Sequence, residues 1–262
     1  MDVTSLLLAG AVAGTLAGLL GIGGGTIIVP VIVIVLGAEG VSADVMIKVA
    51  VGTSLATIAV SALPSIYIHH RQGAIEWPVF WQLMPGILLG TVIGAITVDL
   101  LPGRVLYIAF VVFLVIAALR AAIGTVGGRR KLPGLQGMVG MGFVNGIISS
   151  MMGIGGGVMN VPFFTYCSMP VRNAVATAAA AGMPLAFVSA IIYAIMGLDE
   201  FGIPESSIGY INLPSFAGVV SASFLFAPLG AKLTHAIPER ALDIFFSLFL
   251  LFIAGRMLWP LL

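Results

Sequence analysis

The pentapeptide Gly-Ile-Gly-Gly-Gly occupies residues 21–25 and returns at 153–157. Each glycine weakens a helix by about 1 kcal/mol relative to alanine. Four of them within five residues of an apolar run therefore break the helix there. Consecutive glycines free backbone N–H groups and let a ligand approach the chain closely. A helix restarting at Thr26 or Val158 turns its positive end toward that spot. Such an end binds an anion without any formal charge. The candidate ligand residues are thus Gly23, Gly24, Gly25 and Thr26 in one copy and Gly155, Gly156 and Gly157 in the other. A dinucleotide turn would need glycine at the sixth position and a phosphate loop would need lysine after the last glycine. Thr26 or Val158 stands there instead.

Hydroxyls and amides supply the remaining polarity at depth. Thr53, Ser54 and Thr177 lie inside apolar segments, and Thr53 and Thr177 recur at matched positions. Asn145 and Asn160 flank the second break, where the first half has Ala13 and Ile28. Lys48 and Arg172 also match, five residues before the two threonines. As cations at opposite mouths they would draw anions inward; as interfacial residues they would simply extend toward the headgroups. Asp99, Asp199 and Asp243 fall near segment ends, so the intramembrane carboxylate common in proton-coupled carriers is missing. An anion leaving a negative-inside cell gains about 2.3 kcal/mol per charge per 100 mV, so export can run on membrane potential alone. No enzyme is expected, because the chain lacks Gly-x-Ser-Gly with a paired histidine, a paired-aspartate motif and His-Glu-x-x-His. No cofactor or metal is expected either. The single cysteine, Cys167, excludes an internal disulfide and a cysteine metal cluster.

The elements that position these residues must lie in lipid. Of 262 residues, 60% are hydrophobic and 8% charged, and mean hydropathy is +1.18. Soluble domains carry about 25% charged residues. Net charge is +1, so nothing in the bulk charge attracts nucleic acid. The first ten residues lack the basic region of a signal peptide, and the first apolar segment is expected to remain in the mature protein. Apolar stretches run at 3–36, 46–68, 77–98, 105–123, 135–166, 174–196, 210–231 and 241–261, each long enough for a helix of about 20 residues across the hydrocarbon core. Trp77, Trp81 and Trp259 sit at segment ends, where interfacial aromatics collect.

The segments fall into two repeats, 1–126 and 135–262, joined by a basic linker at 127–134. At an offset of 132 the two GIGGG copies align, with Val29-Pro30 on Val161-Pro162. At 124, Lys48 aligns with Arg172, Thr53 with Thr177, Ser65 with Ser189 and Gly73 with Gly197; at 136, Gly94-Ala95 aligns with Gly230-Ala231 and Pro102 with Pro238. Duplicated membrane halves are the usual build of secondary transporters. If 3–36 crosses once, the halves are parallel; if it returns as a hairpin, they are inverted. Cytoplasmic loops collect Lys and Arg. The single-crossing arrangement divides the basic residues six against five, whereas the hairpin leaves only Lys48, Arg104 and Arg256 opposite eight others. The expected fold is therefore an all-α polytopic membrane protein of two inverted repeats. Each begins with a glycine-broken helix or re-entrant hairpin and continues with three transmembrane helices. Both termini are expected outside, and the two breaks face each other near the midplane. The tandem GxxxG runs at Gly10, Gly14, Gly18 and at Gly86, Gly90, Gly94 read as helix-packing seams, compatible with a homodimer and equally with packing inside one chain.

These residues resemble the sulfite exporter TauE/SafE family, also called TSUP permeases. The likeness rests on AGxxxGxxxGLLGIGGGTIIVPVI at 9–32, GIxxSMMGIGGGxxNVPF at 146–163, and the AVGTSL (50–55) and AVATAA (174–179) segments. It implies a prokaryotic plasma membrane permease for small anionic sulfur compounds such as sulfite, sulfoacetate and other sulfonates. Read from the residues alone, an anion-selective channel or a carrier of a non-sulfur organic anion such as a carboxylate stays open.

Overall fold

The computed structural model describes residues 24–123, 131–234 and 239–258. Nine helices and one short hairpin lie among them. They are α1 (Gly25–Ala38), α2 (Ala43–Arg71), α3 (Trp77–Leu100), α4 (Gly103–Ile123), α5 (Leu135–Met152), α6 (Gly157–Tyr166) and α7 (Val171–Met196), then β1 (Ser207–Ile208) and β2 (Ile211–Asn212), then α8 (Leu213–Thr234) and α9 (Glu239–Leu258). Four of these helices, α2, α3, α4 and α7, are long and apolar enough to cross a membrane. The chain is thus a predominantly helical, polytopic membrane protein.

Burial grades the bundle. The most apolar stretch of α2 is 78% buried within the protein and that of α4 is 39% buried. Helix α2 packs on α1, α7, α8, α4 and β2, so it forms the axis of the molecule. Leucine, isoleucine and valine on α3 and α4 face outward, as at Leu89, Ile93, Val112 and Ile116, which suits a helix with lipid on one side.

The tandem glycines of α3 do form a seam. A β-carbon at Gly86 would collide with the Val139 carbonyl, at Gly90 with the Phe143 carbonyl, and at Gly94 with Ser150 Oγ. Gly142 and Gly146 of α5 press back on the Leu83 and Ile87 carbonyls. Residue numbers rise together along this seam, so α3 and α5 run parallel at backbone contact. Gly10, Gly14 and Gly18 lie outside the described residues.

Contacts fix the directions of the other elements. Gly52 of α2 meets Tyr193 of α7, and Arg172 at the start of α7 reaches Gln72 beyond the end of α2. Helices α2 and α7, whose sequences match at an offset of 124, therefore run antiparallel. Leu132, which precedes α5, and Ser168 and Met169, which follow α6, share one surface cleft of about 410 Å³ with Glu76 and Val79. The chain enters α5 and leaves α6 at the same end of the bundle, so residues 135–166 form a helical hairpin with the second GIGGG at its turn. At about 1.5 Å per residue, α5 reaches about 27 Å inward and α6 about 15 Å back. Helix α1 leaves the same interior region toward the opposite end, where Gly103 packs on Asp44.

Candidate functional site

The glycines act where the backbone turns. Gly24 has φ 65° and ψ −21°; Gly156 has φ 74° and ψ −13°. Both are the fourth residue of their GIGGG, and both cap the helix that follows. A side chain would be strained in this left-handed conformation. Neither helix receives a side-chain cap, and neither has an acidic residue in its first turn. The first N–H groups of a helix have no intrahelical partner, and they normally find a side chain, water or a ligand. Here Gly24–Thr26 and 153–157 are all buried. Two positive helix ends thus stop inside the protein, with no side-chain cap among the described residues.

The two breaks touch. A β-carbon on Gly25 would collide with the Gly153 carbonyl and lie 2.8 Å from Ile154 Cα. Ser54 ties α2 to the second break, because its Oγ donates to the Gly153 carbonyl at 2.7 Å. Val51 lies beside Gly153, and Ile58 beside Gly25 and Gly155. Residues 51, 54 and 58 share one face of α2 by helical spacing, which is how this helix meets both breaks.

Around the second break a polar chain closes in one direction only. Ser149 Oγ donates to Asn145 Oδ1 at 2.7 Å, and Asn145 Nδ2 donates to Asn160 Oδ1 at 2.8 Å. All three side chains are fully buried. Asn160 Nδ2 has no partner among the described residues. It would lie 3.6 Å from a β-carbon on Gly156, with Asn145 Nδ2 at 3.1 Å from the same point. A buried donor left unpaired costs about 1–3 kcal/mol. An acceptor oxygen placed at this turn would remove that cost and meet the N-terminus of α6 as well.

The other expected residues are placed elsewhere. Thr53 Oγ1 accepts the Asn212 N–H at 2.9 Å, and Thr177 Oγ1 accepts the Glu76 N–H at 3.0 Å. Glu76 and Asn212 match at the offset of 136, so each half caps the same helix start in the other half. Thr26 is buried in the first turn of α1. Gly23 lies outside the described residues. Lys48 is 6% exposed; its ammonium donates to the Asp99 carbonyl at 3.1 Å and sits 5.6 Å from the Tyr210 ring centre. Arg172 is exposed and donates to the Gln72 carbonyl and Oε1, each at 3.3 Å. The cation pair is therefore asymmetric, with one member turned inward and one at the surface.

Sequence reasoning missed Tyr193 and Tyr210. Tyr193 is buried and its hydroxyl donates to the Ser150 carbonyl at 3.0 Å. The Tyr210 hydroxyl donates to Asp99 Oδ1 at 2.8 Å. Burial, and then the Asp99 carboxylate that accepts its proton, push Tyr210 far above the ordinary phenol range, so it remains a donor at any physiological pH. The partners are 43 and 111 residues away in the chain, and a lone tyrosine in an apolar sequence carries no sign of them.

Comparison with known proteins points to membrane transporters. A family model described as sulfite exporter TauE/SafE matches residues 6–257. A probable membrane transporter protein of Haemophilus influenzae is 35% identical over 258 residues, 96% of each chain. One from Methanocaldococcus jannaschii is 27% identical, over 92% of this chain and 90% of its own. The probable membrane transporter protein YunE of Bacillus subtilis is 24% identical, over 99% and 98% respectively. No solved structure matches.

Proposed function

The chain belongs to the sulfite exporter TauE/SafE family of membrane transporters, and we propose that its cargo is a small sulfur oxyanion held between the two glycine breaks. Sulfite or a short sulfonate suits the donors best. The observation that carries this is the unpartnered Asn160 amide beside Gly156, at the uncapped end of α6. Backbone N–H groups and amide N–H groups bind acceptor oxygens, and a buried helix N-terminus favours negative charge. They give nothing to a cation and little to an apolar solute.

We read the two halves as an inverted repeat. The antiparallel run of α2 and α7 supports it, as does the departure of α1 and α6 from the interior toward opposite ends. In such folds the site sits at the repeat interface, on broken helices near the midplane. The two halves then rock about the cargo and expose it to each side in turn. With both termini outside the plasma membrane, the negative interior drives an anion outward, and export needs no coupled proton.

The test is sulfite flux in proteoliposomes under an imposed potential, with sulfoacetate, thiosulfate and lactate as competitors. Saturable flux, blocked by the sulfur anions and spared by lactate, is expected. Folded protein that carries lactate equally well, or no sulfite at all, would overturn the cargo assignment.

A further inference from the structure

Among the described residues, the Ile58 side chain reaches both Gly25 and Gly155, one from each glycine break. A β-carbon on Gly25 would lie 3.1 Å from its Cδ1, and one on Gly155 would lie 3.0 Å from its Cγ2. The residue is 3% exposed. Gly24, Gly25 and Gly155–Gly157 offer backbone only, so the room beside them is set by the side chains that project from neighbouring residues. Helix α2 projects Ile58 there. The matched position in α7, at the offset of 124, is Gly182. It projects nothing, and a β-carbon on it would collide with the Gly155 carbonyl. One half of the duplication therefore closes directly on the break, while the other inserts a branched aliphatic chain. A β-branched residue in a helix has one strongly preferred χ1 rotamer, so Ile58 does not swing aside to admit a larger guest.

We propose that Ile58 sets the size limit of the cargo, confining it to a compact oxyanion whose substituent is no longer than a carbon or two. This rests on an oxyanion lying between the breaks. The polar end then meets Asn160 Nδ2 at Gly156, and any substituent lies along Gly155 toward Ile58. Asn160 selects for an acceptor oxygen; Ile58 selects by length. Trimming it frees space next to backbone pinned by the Ser54 hydrogen bond and by Gly182. A cavity whose walls cannot collapse stays available to a guest.

The experiment is competition against radiolabelled sulfite in proteoliposomes, using methane-, ethane-, propane- and butanesulfonate. Wild-type protein should show inhibition falling at least tenfold between methanesulfonate and propanesulfonate. Ile58→Ala should move that fall about two carbons longer, so that propanesulfonate improves at least tenfold relative to sulfite. Ile58→Val, a one-carbon trim that leaves folding intact, should improve ethanesulfonate about threefold. A wild-type profile that is flat with chain length overturns the proposal. So does an unchanged profile in a variant that still carries sulfite. Absence of labelled sulfite flux in folded wild-type protein fails the cargo assignment itself, which separates the two ideas.

Discussion

Gly24 and Gly156 hold nearly the same backbone angles, yet the residues at matched positions near them in sequence differ. Asn145, Ser149 and Asn160 crowd the second break with a hydrogen-bonded chain that ends in a free donor. At the matched positions the first half carries Ala13, Ala17 and Ile28. Across the site the imbalance reverses: the first half brings Ser54 and Ile58, and the second has Ala178 and Gly182. By contrast the threonine caps are reciprocal, with Thr53 on Asn212 and Thr177 on Glu76. Duplication has kept the parts that fold and position the breaks. On the proposed reading, the parts that would choose a ligand are divided between the halves, one supplying polarity and the other bulk.

The widest split in this comparison should come from the backbone itself. Gly156→Leu and Gly24→Leu each force a side chain into the left-handed region at a buried turn, and both should abolish flux even where the protein reaches the membrane. Normal flux in either would separate that break from the site. Next, Asn160→Ala should raise the half-saturating sulfite concentration roughly ten- to a hundredfold, since a hydrogen bond to a charged group contributes about 1.5–3 kcal/mol. Ile28→Ala, at the matched position in the first half, should change it little. Equal effects would mean that the two breaks bind alike.

The threonine caps sharpen the opposite side of the comparison. Thr53→Val leaves a buried backbone N–H unpaired and Thr177→Val a partly buried one; each should lower stability by about 1–3 kcal/mol, read as similar drops in melting temperature in detergent. A large drop in one alone would argue against reciprocal roles. The smallest effect belongs to Arg172→Gln, an exposed residue whose loss should lower flux at low salt about twofold and leave it unchanged at high salt, where screening is complete over short distances. Lys48→Gln removes the inward cation and the contact to the Asp99 carbonyl, so its effect should persist at high salt.

Much of this organisation is legible in the residues. Glycine clusters in apolar runs mark breaks because helix propensity is lowest there, and the helix is interrupted between Met152 and Gly157 where the second cluster stands. The α3 seam follows from glycine at every fourth position. Lys48 is different: spacing alone places it at a mouth, whereas the packed α2 axis turns it onto Asp99 and Tyr210. Thr53 and Thr177 drew attention because they recur, but recurrence marks the shared scaffold. Their donors emerge only when the offsets of 124 and 136 are used together to pair Thr53 with Asn212 and Thr177 with Glu76. Ile58 gave no signal, since one isoleucine in an apolar helix looks like any other until its neighbours are known to be bare backbone.

The most direct test of the apposed breaks as an anion site is anomalous diffraction from crystals soaked in selenite, the selenium counterpart of sulfite. The account predicts one selenium peak within hydrogen-bonding reach of Asn160 Nδ2, Gly156–Gly157 and the N-terminus of α1. Selenium bound at Arg172 or along the outer cleft, with the breaks empty, would contradict it.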